Sequence, residues 1–179
     1  MTGVQTCALP ILFFVDIQPY QVDDFTKQVG AMPGVHKVLT ASMIRGRITK
    51  IGGVAADEAR VDPNSRWAVR GERGLSTAAT VPENAKITAG HWWPADYAGE
   101  NLVSVDEQVA RDFHLGLGDT ISVEILGREI TAKIASLRDI RWQSGAMNFI
   151  LIFSPNALAG APGYYLATVN ADEIGRAHV

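Results

Sequence analysis

The apolar positions at the start of the chain predict a β-α-β unit. Phe13–Ile17 (FFVDI) has the composition of a short strand, and Pro19 is a residue type that favours a helix start. Apolar side chains then recur at the three- and four-residue spacing of one helix face, at Val22, Phe25, Val29 and Met32. Val35–Thr40 predicts the next strand. The segment MIRGRITKI that follows alternates between apolar and polar positions, as a strand with one solvent-facing side does.

The next part of the chain predicts an irregular connection followed by a helix. Gly52–Gly74 is rich in turn residues, and we expect Trp67 to anchor this connection by burial. Ser104 and Glu107 have the spacing of a capping box, in which each residue satisfies a backbone donor of the other at the start of a helix. The apolar stripe of that predicted helix consists of Val105, Val109 and Phe113.

A β-hairpin is the clearest single element of the pattern. TISVEIL and EITAKIASL each alternate regularly, and the link Gly127-Arg128 between them is typical of a two-residue hairpin turn. NFILIF is a continuous apolar run that predicts a central strand, and GYYLATV predicts another. We therefore predict the fold class α+β, with a β-α-β lobe into which a small β-rich lobe is inserted.

Both ends of the chain resemble translated sequencing adapter. Met1–Ile11 can be encoded by DNA ending in CAGACGTGTGCTCTTCCGATC, and Glu173–Val179 by DNA that contains AGATCGGAAGAGCACACGTC. These two strings come from opposite strands of one DNA segment. Two unrelated protein ends have no physical reason to be related in this way. We interpret both ends as artefacts and exclude them from fold reasoning. Cys7, the only cysteine, lies in the first of them, so the genuine part offers no thiol chemistry.

Composition excludes several classes of function. The net charge is −3 and no Lys/Arg cluster occurs, which argues against nucleic acid as a partner. The hydrophobic fraction of 47% is ordinary for a globular chain. No apolar run reaches the ~18 residues of a membrane helix.

Candidate catalytic and metal-binding patterns are weak. His36, His91 and His114 lie far apart without metal-ligand spacing, and Ser76 and Ser144 lack the context of a hydrolase elbow. The GLGDT stretch is better explained as a helix end than as a phosphate loop, because the Walker lysine is absent. We therefore expect no catalytic, no cofactor-binding and no metal-ligating residues, and no cofactor.

Two aromatic and two basic residues are the remaining candidates for a site. Trp92 and Trp93 in GHWWP could contact a ligand, but packing is the favoured interpretation. On a strand their rings would point to opposite faces, one into the core and one over an edge. Arg45 and Arg47 could hold an anion, although ion pairs with neighbouring acidic groups are favoured.

Several segments, taken in order, resemble the extracytoplasmic domain of FtsX-like ABC transporter permeases. The subgroup is the one described as lysophospholipase L1 biosynthesis permeases. The segments are FFVDIQPYQV, PGVHKVLTASMIRGRI, WAVRGERGLSTA, ITAGHWWP, LVSVDEQVARDFHLGLGDTISVEILGREITAKIASLRDIRW and NFILIFSP. Together they cover nearly all of the genuine chain, which makes the resemblance more specific than any single motif.

The resemblance implies a bilobed periplasmic domain. Residues 12–60 would form the first β-α-β part, 61–142 the inserted β-rich lobe with one helix, and 143–172 the return strands. The adapter-like ranges 1–11 and 173–179 flank them. The second β-α-β unit would be cut off before it is complete.

The resemblance also implies a non-enzymatic role on the periplasmic side of the bacterial inner membrane. A separate ATPase subunit would supply the motion, and the domain would handle a lipidic or hydrophobic substrate, engage a periplasmic protein or take part in a permease dimer. An alternative is a soluble small-molecule-binding domain or enzyme that uses the Trp92/Trp93 region. A third is a structural interaction module of an envelope protein.

Overall fold

Strands dominate the protein, whose computed structural model describes residues 11–140 and 147–172. Strands hold 46% of these residues and helices hold 14%. The strands are β1 (Ile11–Ile17), β2 (Val35–Ile51), β3 (Val54–Ala55), β4 (Arg73–Thr77), β5 (Ala85–Gly90), β6 (Leu102–Asp106), β7 (Thr120–Ile125), β8 (Arg128–Ile140), β9 (Leu151–Phe153) and β10 (Tyr164–Ala171). The helices are α1 (Val22–Gly30), α2 (Arg66–Val69) and α3 (Glu107–Asp112), and a 3₁₀ turn covers Pro63–Ser65.

The chain divides into two compact units. Of the described residues, 11–41 and 164–172 belong to one unit, called the terminal unit below; those within Ser42–Gly163 belong to the other, called the central unit. In the terminal unit β10 lies between β1 and β2, antiparallel to β1. In the central unit β4 pairs in parallel with β9 and β6 in parallel with β8, while the other strand pairings described for this unit are antiparallel.

The predicted fold class, α+β, is wrong, because the described residues form a mixed sheet of ten strands with only three short helices. Two predicted strands merge into β2, which is 17 residues long. The link between them, Ala41–Ser42, is half-buried and contains no glycine or proline to interrupt a strand. The local sequence pattern therefore predicts strands that are shorter than those observed.

The predicted helix in the middle of the chain begins later than the sequence indicated. Val105 belongs to β6, which is paired on both sides, with β8 and with β9. The N-cap of α3 is Asp106, whose carboxylate accepts a hydrogen bond from Val109 N at 3.0 Å. Ser104, the predicted cap, is fully buried and accepts a hydrogen bond from the Ser136 hydroxyl at 2.8 Å. The capping-box prediction is wrong because Ser104 and Val105, in the first turn of the predicted helix, pair with β8 and β9 instead.

The predicted hairpin is confirmed, but its turn lies one residue earlier. β7 and β8 pair with Val123 opposite Ile130 and Ile125 opposite Arg128. This register buries the alternating apolar residues of both strands, namely Ile121, Val123, Ile125, Ile130, Ala132 and Ile134. The loop is therefore Leu126-Gly127, and both residues have positive φ, 46° and 79°.

Leu126 should be a strained position whose replacement stabilises the protein. Its φ lies in the left-handed region that leucine disfavours, and its side chain is 83% exposed. Asparagine tolerates this conformation, and Asn-Gly is a preferred pair for such a turn. We expect Leu126→Asn to raise the free energy of unfolding by about 1 kcal/mol in urea denaturation. Leu126→Ala is the matched control, because it removes the exposed side chain but keeps the strain; an equal gain there would contradict this explanation.

Several predictions concern residues outside the described ranges. Residues 1–10 and 173–179, which we assigned to adapter, are among them, as are residues 141–146. Ile11, the last residue of the first adapter-like segment, begins β1 opposite Asn170. The division into a β-α-β lobe with an inserted β-rich lobe stays a prediction. Within residues 11–140 and 147–172, no helix combines the length and the apolar character needed to cross a bilayer.

Candidate functional site

An apolar groove lies among the described residues of the terminal unit. Its volume is about 610 Å³, within the range of small-molecule sites. The walls come from the strands on one side and from α1 and the turn after it on the other. The main apolar lining residues are Leu12, Phe14, Val29, Met32, Val169 and Ala171.

The alternation of β1 explains one wall of this groove. Leu12 and Phe14 pair with Val169 and Ala167 of β10 and point to the groove side. The Phe14 ring packs edge-on against Phe25 of α1, with ring centroids 5.0 Å apart. Helix and sheet are therefore in contact at one end of α1 and leave open space beside the other, where Met32 is 54% exposed.

The rim of the groove is polar. Asp172 Oδ1 lies 2.7 Å from His36 Nε2, and both side chains are at least half exposed. Asp172 N also donates a hydrogen bond to Gly34 O at 2.7 Å. An exposed pair of this kind adds little stability. The groove can therefore accept an apolar group, with one carboxylate and one imidazole at its mouth.

The two adjacent tryptophans pack on one another in the central unit. β5 ends at Gly90, so these residues lie outside the strand, and their ring centroids are 4.2 Å apart. The expectation of opposite faces is therefore wrong. Trp93 is buried and donates Nε1–H to Ala78 O at 2.8 Å, while half-buried Trp92 donates to Ala79 O at 3.0 Å. Both indole N–H groups are used on the protein's own backbone, which favours packing over ligand contact.

Trp93→Phe should destabilise the central unit more than Trp92→Phe does. The phenylalanine ring keeps much of the buried apolar surface but leaves the Ala78 carbonyl without its donor. We expect a loss of about 1 to 2 kcal/mol in the free energy of unfolding for Trp93→Phe. Trp92→Phe is the control, since the Ala79 carbonyl is exposed and water can replace the lost donor. Equal losses in urea denaturation would show that the partly buried Trp93–Ala78 hydrogen bond is not the cause.

The other residues singled out in the sequence do not converge. Arg45 lies 4.0 Å from Glu72 and Arg47 lies 3.3 Å from Glu124. Both are surface ion pairs, the interpretation that the sequence favoured over an anion site. His91 follows β5 and His114 follows α3, whereas His36 lies in β2. Among residues 11–140 and 147–172, no group of three or more His, Cys, Asp or Glu side chains could hold a metal ion.

The Gly52–Gly74 connection does not bury its tryptophan. Trp67 is 45% exposed, so the expected buried anchor is wrong. The guanidinium of Arg73 lies over the Trp67 ring, 5.2 Å from its centroid. The same guanidinium donates hydrogen bonds to the carbonyls of Trp67 and Arg70. The Arg73 side chain therefore stabilises this segment through hydrogen bonds to its backbone carbonyls. The exposed Trp67 ring covers the guanidinium.

A buried arginine is the main feature that sequence reasoning missed. Arg138 is 1% exposed, and its guanidinium donates hydrogen bonds to the carbonyls of Ser104 and Phe149. Burial lowers the pKa of Arg138 to about 10, and the charge of Asp106 opposes that shift. The group therefore stays charged at neutral pH. It ties β6 to the residues just before β9.

A sequence signal for this arginine did exist. Position 138 continues the period-two alternation of β8 through Ile134, Ser136 and Ile140, all of which are buried. The predicted strand EITAKIASL ends at Leu137, one residue before Arg138. An arginine on the buried side of a strand indicates paired carbonyls or carboxylates nearby.

Comparison with known proteins places the chain beside one class, the ABC transporter permeases. The chain is 31% identical over 162 residues to the uncharacterized ABC transporter permease YbbP of Escherichia coli (strain K12). The match covers 89% of this chain but 18% of that protein, so the chain spans less than a fifth of its curated relative. The similarity to ABC transporter permeases that the sequence motifs indicated is thereby confirmed.

Other comparisons add little. No family model matches the chain. Among solved structures, one domain of a protein described as a permease, from Porphyromonas gingivalis, aligns with 90% of this chain and 66% of its own. Its sequence identity is 13% and its TM-score is 0.43, and we base no argument on it.

Proposed function

We propose that the chain is the extracytoplasmic domain of an FtsX-like ABC transporter permease. The observation that carries this proposal is the match of 89% of the chain to a segment that makes up only 18% of an ABC transporter permease. A segment of that size leaves room in the longer protein for membrane-spanning parts. The motif order described above supports the FtsX-like subgroup within this class.

In the proposed mechanism the domain performs no bond chemistry. A separate ATPase subunit hydrolyses ATP, the membrane helices of the permease transmit the motion, and this domain changes position on the periplasmic side. The substrate is proposed to be lipidic or otherwise hydrophobic, and a periplasmic protein or a second permease copy is a further proposed partner. The charged groups at the surface form ion pairs typical of a solvated face, such as Arg47 with Glu124 and Lys50 with Glu129.

Cysteine labelling in the intact permease tests the location. Tyr20 is 80% exposed, so Tyr20→Cys in a cysteine-free protein gives an accessible probe. We expect a membrane-impermeant maleimide to label it in cells whose outer membrane is permeabilised and whose inner membrane is intact. Ala68→Cys is the matched control for access, because Ala68 is fully buried and should not react in the folded protein. Labelling of Tyr20→Cys only after lysis would place the domain in the cytoplasm and contradict the proposal.

Reconstitution tests the mechanical role. With the ATPase subunit and the intact permease in liposomes, a fluorophore at Leu126→Cys should report a change when ATP is hydrolysed, since Leu126 is 83% exposed at a hairpin tip. The same fluorophore should not respond with an ATPase subunit that binds but cannot hydrolyse ATP. ATP hydrolysis at a full rate without any change at this position would argue against coupled motion of the domain.

A further inference from the structure

Helix α2 in the central unit has one buried side and one exposed side. Ala68 is fully buried and Val69 is half-buried, and both pack on the hydrophobic core. Arg66, Trp67 and Arg70 are exposed. Residues four apart lie on the same side of a helix, so the two arginines lie near each other and next to the tryptophan. These three exposed side chains are called the α2 surface below.

The tryptophan of the α2 surface is held in place although it is 45% exposed. The Arg73 guanidinium lies 5.2 Å from the centroid of the Trp67 ring and donates hydrogen bonds to the carbonyls of Trp67 and Arg70. Unlike the N–H groups of Trp92 and Trp93, the indole N–H of Trp67 has no hydrogen-bond partner among the described residues. A partner that contacts this ring therefore meets a preorganised apolar surface with a free donor.

The α2 surface is basic although the whole chain is acidic. Within residues 11–140 and 147–172, neither Arg66 nor Arg70 forms an ion pair. Of the acidic residues on either side in sequence, Asp62 accepts a hydrogen bond from the backbone N–H two residues later, and Glu72 lies 4.0 Å from Arg45. The α2 surface therefore presents two arginines without a paired carboxylate, whereas the chain as a whole carries a net charge of −3.

We propose that the α2 surface docks on a bilayer that contains anionic phospholipid. Tryptophan favours the boundary between membrane and water, because its ring is apolar and its N–H is polar. A guanidinium can donate two parallel hydrogen bonds to one phosphate group. Trp67 therefore lies among the lipid headgroups, and Arg66 and Arg70 contact their phosphates. The inference rests on the proposed function, because a permease holds this domain next to a membrane.

A contact of this size is weak for a free domain and sufficient for a tethered one. One tryptophan and two arginines bury much less area than a stable interface needs. The membrane-spanning parts of a permease would hold the domain at a high effective concentration over the bilayer, so a weak affinity is enough. We therefore expect the contact to form and break as the domain changes position.

Vesicle binding by the 179-residue chain tests this proposal. Sucrose-loaded vesicles of phosphatidylcholine and phosphatidylglycerol should sediment the chain at low salt, and vesicles of phosphatidylcholine alone should not. Higher ionic strength should release the chain, because salt screens exposed charges. The net charge of −3 repels an anionic vesicle, so binding requires a local basic surface. Equal binding to the two kinds of vesicle would overturn the proposal.

Two double variants locate the binding surface. Arg66→Gln/Arg70→Gln should lower the partition onto anionic vesicles by about twenty-five-fold, since each arginine near such a membrane contributes about fivefold. Lys86→Gln/Arg128→Gln is the matched control. It removes the same charge from two exposed side chains that also lack an ion pair in the described part of the chain. It should change the partition by less than about twofold, because salt screens distant charges.

Trp67→Ala tests the aromatic part of the contact. It should lower the partition by at least about tenfold through the loss of apolar area, while the Arg73 hydrogen bonds to backbone carbonyls remain. Circular dichroism checks that each variant is folded. Equal losses in the two double variants, or unchanged binding in Trp67→Ala, would overturn the proposal. Failure to bind either kind of vesicle would also overturn it, and would favour an acidic protein surface as the partner.

These outcomes are separable from those that test the proposed function. If Tyr20→Cys is labelled only after lysis, the proposed location is wrong, whatever the vesicles bind. If Tyr20→Cys is labelled from outside and the vesicles bind nothing, the proposed location stands and docking of the α2 surface on lipid is wrong.

Discussion

Arg138→Ala is expected to lower the free energy of unfolding by about 3 to 5 kcal/mol. The substitution leaves two buried carbonyls, those of Ser104 and Phe149, without their donor and opens a cavity where the buried side chain lay. Each unsatisfied buried acceptor costs about 1 to 3 kcal/mol. Urea denaturation of the 179-residue chain, followed by circular dichroism, measures the loss.

Three further variants identify its cause. Arg138→Met restores most of the apolar volume but neither hydrogen bond, and should recover only a minor part of the loss. Arg138→Lys keeps the charge but cannot reach both carbonyls, and should fall between methionine and arginine. Arg111→Ala removes an exposed arginine that pairs with Glu107 at 2.6 Å, and should change stability by less than about 0.5 kcal/mol. Full stability in Arg138→Met would show that the two hydrogen bonds contribute nothing.

The pH dependence of the Arg138 contribution follows from its pKa. Burial lowers this pKa from its ordinary value to about 10, so the folded state binds the proton less tightly than the unfolded state. Below pH 10 both states are protonated and the contribution is constant; between the two pKa values the unfolded state binds more protons, so stability would rise with pH. We therefore expect the difference between the native chain and Arg138→Met to be the same across roughly pH 6 to 8.

Gly90→Ala is the second substitution with a large expected effect. Gly90 has a φ of +72° at the end of β5, where the chain turns towards Trp92 and Trp93. A Cβ there would overlap the Ala135 carbonyl oxygen and lie 2.8 Å from Leu117 Cδ2. Strain of the left-handed backbone adds about 1 to 2 kcal/mol to an overpacking cost of about 1 to 3 kcal/mol. We expect a total loss of about 2 to 5 kcal/mol in urea denaturation and a displaced tryptophan pair, visible as a red-shifted emission.

Gly71→Ala separates the steric cost from the backbone cost. Gly71 has a φ of +74°, almost the same as Gly90, but a Cβ there would meet nothing within 4 Å. It should lose only the backbone contribution of about 1 to 2 kcal/mol. Similar losses at the two positions would mean that the neighbours of Gly90 give way without cost.

Elements whose partners are close in sequence were predictable. The β7–β8 hairpin shows this, because its two alternating runs need only each other to define a buried face. The apolar stripe of α1 was equally readable, and α1 ends at Gly30, shortly before Pro33. The predicted turn of the hairpin is one residue too late. Its position depends on the strand register, and the register depends on which strand faces are buried, which the sequence of the two strands does not determine.

Elements whose partners are distant in sequence were not predictable in the same way. Val105 fits a helical stripe with Val109 and Phe113, yet it lies in β6 because β8 and β9 offer hydrogen bonds on both sides. The tryptophan pair was expected to point to opposite faces, and only the exit of the chain from β5 allows the rings to stack. Arg138 lies on the buried face of β8, as the apolar alternation of that strand indicates. Its carbonyl partners, however, come from two other segments of the chain.

By itself the sequence determined which residues are apolar and at what period, and therefore the core face of each long strand and the class of permease that the chain resembles. Only the tertiary structure decided the length of β2, the start of α3, the partners of Arg138 and the open groove beside α1. The physical reason is that hydrogen-bond pairing and burial depend on groups brought together from distant parts of the chain, and their free energy exceeds the local preferences on which a sequence pattern depends.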